Sequence, residues 1–289
     1  MDTIVTLIAA PGVLTGDLAD AAANAIGGTP DWLATDTACD VACAVGVEDA
    51  DDLVRQALAE TPVDIVAQPA AGRRKRLLVA DMESTIIENE MLDELADELN
   101  LRDDIAAITA RAMAGELDFE AAIKERVGML AGLDLAALAR AKDRIRVMPG
   151  AAELVATMRA NGGVSVLVSG GFSYFADYIC DLLDFDEAQS NRLELKEGRL
   201  TGSVMEPILG RDAKREALLR IVEERGIPAA ETLAIGDGAN DLDMLQVAGL
   251  GVAYHAKPVV AASASARIDH ADLTALLYVQ GYREAEIQG

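Results

Sequence analysis

The segment Leu77-Leu78-Val79-Ala80-Asp81-Met82-Glu83-Ser84-Thr85 sets an apolar run directly before two carboxylates and two hydroxyls. Four consecutive apolar residues bounded by polar ones predict a short strand buried on both faces, as in a parallel sheet. Carboxylates at the C-terminal end of such a strand stand where open α/β sheets bind ligands. Asp81 can there hold a divalent cation, attack phosphorus, or do both, with Glu83 in reach of the same ligand. Taken alone, the segment also reads as an Asp-Ser turn that opens a loop.

The chain on either side of it divides in two. Over residues 1–69 the pattern predicts a strand at Thr3–Ala9, an Ala-rich helix at Gly16–Ile26 that stops at Gly27-Gly28, and two short strands within Asp31–Val47. A helix at Asp49–Glu60 and a strand at Val63–Ala67 complete a βαββαβ order, which suggests a small ferredoxin-like unit. Gln68–Arg76, with Pro, Gly and basic residues, reads as a linker.

Residues 77–289 form the second part, in which a mostly helical stretch, about 88–148, follows the Asp81 segment. Its helices are expected at Glu88–Leu99, Asp103–Ala114, Phe119–Leu130 and Asp134–Arg144. Pro149-Gly150 ends that block. A helix at Ala151–Ala160, a strand at Val164–Val168 and a hairpin over Arg192–Val204 turning at Glu197-Gly198 come next. Then follow a helix at Ala213–Arg225, a strand at Thr232–Ile235, a helix at Asp241–Ala248 and a strand at Gly251–Ala253. Alternating strands and helices imply a parallel, Rossmann-like α/β sheet, and the helical stretch reads as an inserted cap.

The net charge of −24 argues against a nucleic-acid partner, which needs a basic face. It also repels anionic substrates at long range, so a phosphate site must supply its own local cations. Cys39, Cys43 and Cys180 make an odd, sparse set that fits a reducing compartment and no disulfide framework. No apolar run reaches the roughly 20 residues of a membrane span. The N-terminus lacks the basic region of a signal peptide. A cytoplasmic enzyme with no membrane partner is the expectation, and a homodimer is compatible with it.

Three predicted strands end in polar or small-residue clusters: Asp81-Met82-Glu83-Ser84-Thr85, Ser169-Gly170-Gly171-Phe172 and Gly236-Asp237-Gly238-Ala239-Asn240-Asp241. Lys214 lies on a helix upstream of the third. Each alone reads as a turn or a solvated lysine, but one parallel sheet would bring these strand ends together.

Asp81-x-Glu83-x-Thr85, Ser169-Gly170-Gly171, Lys214 and Gly236-Asp237-Gly238-x-Asn240-Asp241 resemble the four motifs of the haloacid dehalogenase superfamily of phosphohydrolases. The cap sequence Ala112-Met113-Ala114-Gly115-Glu116-Leu117-Asp118-Phe119, with Arg126-Val127 beyond it, is similar to that of the phosphoserine phosphatase family within it. The resemblance covers about residues 73–289. It implies a haloacid dehalogenase-like core with a helical cap, and over residues 1–69 it weakly suggests an amino-terminal regulatory module of the ACT type.

For the chemistry, the resemblance implies that Asp81 is the nucleophile, forming an aspartyl-phosphate that water then cleaves. Glu83 would protonate the leaving serine and then activate water. A hard cation, expected to be Mg²⁺, would be held by Asp81, the Glu83 backbone carbonyl and Asp237, with Asp241 orienting a bound water or Lys214. Lys214, the Gly170 amide and the Ser169 hydroxyl would neutralise the phosphoryl oxygens, and Asn240 would position the phosphate or the nucleophile. In the cap, Glu90 would pair with the ammonium of phosphoserine and Arg126 would hold its carboxylate. Met113 and Phe119 would wall off water.

At one position the chain departs from that family, which usually has Asp where Glu83 stands. The carboxylate moves outward by one methylene, and a misplacement of about 1 Å can cost around a hundredfold in rate. The expected activity is hydrolysis of O-phospho-L-serine with a rearranged acid/base. Phosphotransfer from phosphoserine to homoserine, and a non-catalytic serine-binding regulator, are the alternatives.

Overall fold

The computed structural model of the protein describes residues 2–59, 61–113 and 116–289, and of Met113 the backbone alone. The expected helix ends at Glu60 and Ala114, and the Met113 side chain, lie outside the described residues.

The first part consists of strand β1 (Thr3–Ile8), helix α1 (Gly16–Ile26), strands β2 (Pro30–Ala34) and β3 (Ala38–Cys43), helix α2 (Val47–Leu58) and strand β4 (Asp64–Pro69). This is the expected βαββαβ order, and its antiparallel sheet runs β2-β3-β1-β4. The Thr15 hydroxyl starts α1 by accepting from Leu18 N (3.4 Å), and Gly27 stops it by taking φ 67°. Val5, Leu7, Val41 and Ile65 pack with the inner faces of α1 and α2 in one apolar cluster.

In the second part, β5 (Leu77–Ala80) is buried throughout. Leu78 and Ala80 join one apolar layer and Leu77 and Val79 the other, the alternation of a strand covered on both faces. The cap follows as α3 (Met91–Asp97), α4 (Arg102–Met113), α5 (Phe119–Met129) and α6 (Leu135–Asp143). Asp118 and Asp134 start α5 and α6 by accepting from Ala121 N (2.7 Å) and Ala137 N (2.9 Å). The first cap helix opens at Met91, later than the expected Glu88, because the chain is still crossing the neck of the cap. There Glu88 N donates to Arg146 O (2.8 Å), Met148 N to Ile86 O (2.9 Å), and Arg146 N to the Asn89 side chain (2.8 Å).

The chain then runs through α7 (Ala151–Ala160), β6 (Val164–Phe172), α8 (Ser173–Leu183), β7 (Glu187–Lys196), β8 (Arg199–Met205), α9 (Asp212–Arg225) and β9 (Thr232–Gly236). It ends with α10 (Leu242–Val247), β10 (Leu250–Tyr254), α11 (Pro258–Ala261), β11 (Ala266–Ile268) and α12 (Ala275–Val279). The seven-stranded sheet has the order β11-β10-β9-β5-β6-β7-β8, and only the β7–β8 pair is antiparallel. The hairpin turns at Glu197-Gly198, whose positive φ angles (51° and 74°) suit a two-residue turn. Its first strand starts earlier than expected, at Glu187, because that half extends the parallel sheet beside β6.

Gln68–Arg76 is partly exposed but is bonded to both parts of the chain. Arg73 pairs with Asp40 of β3 (2.6 Å) and donates to the Tyr278 and Val279 carbonyls of α12 (3.1 and 3.2 Å). Gln68 Nε2 also donates to Val279 O (2.7 Å). The stretch so fastens the small sheet, whose β1 and β3 lie against α12. No helix among the described residues is long and apolar enough to cross a membrane.

Candidate active site

β10, β9, β5 and β6 are neighbours in the sheet and point the same way, so their C-terminal ends share one edge. Asp81 and Glu83 follow β5, Ser169 and Gly170 sit in the last part of β6, and Asp237, Asn240 and Asp241 follow β9. Lys214 reaches the same edge from α9, with its side chain only 4% exposed.

Lys214 Nζ lies 2.7 Å from Asp81 Oδ1 and 2.5 Å from Asp241 Oδ1, one ammonium between two buried carboxylates. Burial disfavours its charge, but Asp241 and Asp81 outweigh that and hold the lysine well above its usual range. Asp81 Oδ1 also accepts from Met82 N (2.8 Å). Burial raises the Asp81 proton affinity, Lys214 pulls it back down, and Asp241 pushes it up again. Asp241 accepts from Gly238 N at its other oxygen (2.9 Å), so both its oxygens are engaged and it orients Lys214. It has room because residue 236 is glycine: a Cβ there would collide with the Asp241 carboxyl.

Glu83 turns its Oε1 toward Met91 N, the first amide of α3 (2.9 Å). Burial, and next the negative Glu90, push its carboxyl up to about 8. Glu90 is exposed and precedes α3; its Oε1 accepts from the Ser84 hydroxyl (2.7 Å), with Ser84 at φ 55°. Asp237 is raised to about 6, by burial first and by Asp241 second. Asp81, Glu83, Glu90, Asp237 and Asn240 together line an inner hollow of about 160 Å³.

The hollow adjoins a wider cleft of about 610 Å³ between cap and core. Phe119 stands against the core there: a Cβ on Gly170 would lie 3.4 Å from its ring. Arg126, from α5, lines the cleft and among the described residues donates to Ala122 O (3.2 Å) and Thr109 Oγ1 (3.4 Å). Burial lowers its pKa, opposed by Glu83, Asp93 and Glu90, yet among the described residues it forms no ion pair. A half-buried guanidinium without a carboxylate partner is a ready site for an anionic group. Ser169 is buried and its hydroxyl accepts from Gly171 N (2.9 Å).

Two cations in the cleft wall escaped the sequence reading. Lys257 follows β10 and borders both the hollow and the cleft, and Arg211, paired with Asp243 (2.9 Å), borders the cleft. The usable signal was that Gly251–Ala253, read as a strand, ends at the same sheet edge as the other three. No glycine-rich cluster marks that end, so no site was expected there.

The donor set suits a hard divalent cation. Asp81, Asp237 and Asp241 each bring a carboxylate oxygen within 4.8 Å of the others, with Lys214 bonded to two of them and Lys257 bordering the same hollow, so the carboxylates there, with Glu83 and Glu90, outnumber the ammonium groups. Oxygen donors with an excess of negative charge are the chemistry that Mg²⁺ selects.

The model of the haloacid dehalogenase-like hydrolases matches residues 78–246. A phosphoserine phosphatase of Streptomyces coelicolor is 42% identical over 226 residues, which is 78% of this chain and 55% of that protein. The chain spans between 55% and 64% of the length of the first curated relatives it matches. Among solved structures, a hydrolase of the same family from Salmonella enterica superposes with a TM-score of 0.86 at 30% identity, over 96% of this chain and 97% of the other. A phosphoserine phosphatase structure carrying a phospho-aspartyl intermediate analogue superposes with a TM-score of 0.66 at 38% identity, over 71% of this chain and 98% of that one.

Proposed function

We propose, from the premise that this chain belongs to the haloacid dehalogenase-like hydrolase family, that it hydrolyses O-phospho-L-serine to serine and phosphate. The observation that carries the reading is the pairing of two features in adjoining spaces. A buried Asp81 with Lys214 at 2.7 Å borders the inner hollow, and Arg126, which forms no ion pair among the described residues, lines the wider cleft from the cap. The hollow suits a phosphoryl group, and the cap arginine suits a carboxylate on the same small molecule.

In this reading an Asp81 carboxylate oxygen attacks phosphorus, and the bond from phosphorus to the serine oxygen breaks. The Glu83 carboxyl gives its proton to that departing oxygen. Glu83 then takes a proton from water as that water attacks the aspartyl-phosphate, which returns Asp81 and frees phosphate. Lys214, the Gly170 amide and the Ser169 hydroxyl hold the phosphoryl oxygens, and Asn240 fixes their orientation. Glu90, held by Ser84, takes the ammonium; Arg126 takes the carboxylate; Phe119 excludes water. Mg²⁺ would be held by Asp81, Asp237 and the Glu83 carbonyl, and when bound it neutralises phosphoryl charge. Residues 1–69 are assigned as an ACT-like regulatory unit.

The test is phosphate release from phosphoserine with Mg²⁺, with and without homoserine. Release in both supports the hydrolase. Release confined to the homoserine reaction selects the transferase, and no turnover in either leaves a serine-binding regulator.

A further inference from the structure

Gly171 is not held by its backbone: its φ is outside the left-handed region, and it lies within the extended strand β6. What excludes a side chain there is Glu83. A Cβ at residue 171 would stand 2.9 Å from Glu83 Oε2 and 3.1 Å from both its Cδ and Oε1. The neighbouring Gly170 faces Phe119 instead, so the two glycines of the cluster serve different partners.

We propose that Gly171 is a positioning residue for Glu83, its bare Cα forming the seat on which the longer carboxylate of this chain rests. The inference builds on the reading of Glu83 as proton donor and acceptor. Glutamate has one more rotatable bond than aspartate, so its carboxylate needs an extra restraint to sit at a fixed place. Two contacts supply it. The carboxylate occupies the space a Cβ at residue 171 would need, and Met91 N holds its Oε1 at 2.9 Å. Because Met91 opens α3, and Glu90 immediately precedes it, docking of the cap and placement of Glu83 share one helix start. A methyl group at residue 171 has to push the carboxylate off this seat and strain the Met91 bond, whereas the shorter side chain of Glu83→Asp leaves that space free.

The experiment is a double-variant cycle on phosphoserine turnover with Mg²⁺, using Gly171→Ala, Glu83→Asp and both together. Gly171→Ala is expected to lower kcat on the order of 10- to 100-fold while KM stays within about threefold, since the carboxylate moves by part of an ångström. In the Glu83→Asp background the same change is expected to cost less than about threefold, a coupling that distant or merely structural sites do not show. Equal losses in both backgrounds, or no loss beside Glu83, would overturn the proposal. If Gly171→Ala fails to fold, recovery of folding in the double variant supports the seat and its failure overturns it. Crystal structures give a reading independent of turnover, and so separate this inference from the assigned reaction. The Glu83 carboxylate is expected to leave Met91 N in Gly171→Ala, and an unmoved carboxylate contradicts the seat.

Discussion

Asp64 and Asp81 are both buried aspartates beside packed sheets, and burial raises the proton affinity of each. Their partners differ. Asp64, at the start of β4, accepts from the backbone amides of Asp269 (2.7 Å), His270 (3.1 Å) and Ala271 (2.9 Å). Those amides belong to the loop after β11, so the carboxylate latches the small sheet to the edge of the large one. Asp81 meets one amide and one ammonium and borders an open hollow. Burial alone therefore does not mark chemistry. A buried carboxylate whose acceptors are filled by the fold is structural, and one that still faces space is placed to react.

The comparison breaks most sharply at Asp81. Asp81→Asn is expected to reduce phosphate release by at least about 10⁴-fold, as loss of a nucleophile does, with little change in melting temperature. Asp64→Ala should do the reverse. It leaves three backbone amides, one of them buried, without their acceptor and is expected to cost about 1–3 kcal/mol of stability in denaturant titrations. Turnover per folded molecule should stay unchanged; a fall in kcat there would erase the distinction between latch and site.

Smaller effects sharpen the picture within the cleft. Arg126→Ala is expected to raise KM for phosphoserine by about 10- to 100-fold, the worth of charge-assisted hydrogen bonds. Phosphate esters without a carboxylate should be spared, and equal losses on both would remove Arg126 from the carboxylate role. Glu83→Asp is expected to keep kcat within about tenfold, because the shorter carboxylate still reaches the same region. Wild-type rates in Glu83→Gln would show that residue 83 moves no proton.

The parts legible in the sequence were those where local chemistry and strand order agree. Leu77–Ala80 predicted a strand because it is apolar throughout, and Gly236-Asp237-Gly238 stood out because a glycine-rich turn closes the next strand. The order of the small sheet followed from its helix stops and alternation. Helix α8 was not read because it follows β6 directly with no side-chain cap to mark its start, and α11, β11 and α12 were not read because they are too short to show a period. Lys257 and Arg211 were missed because their place depends on which strands are neighbours. The departure at Glu83 was visible, but its seat was not, because Gly171 meets it only through the pairing of β5 with β6. The basic stretch at Gln68–Arg76 read only as a linker because its acceptors, Asp40 and the α12 carbonyls, come from far along the chain.

The most direct measurement is an acid quench of the enzyme during turnover of phosphoserine labelled in its phosphoryl group, followed by mapping of the labelled peptide. A label on Asp81 that is lost in Asp81→Asn is the expected result. Phosphate release from phosphoserine with the label on another residue would contradict the assignment of Asp81 as nucleophile.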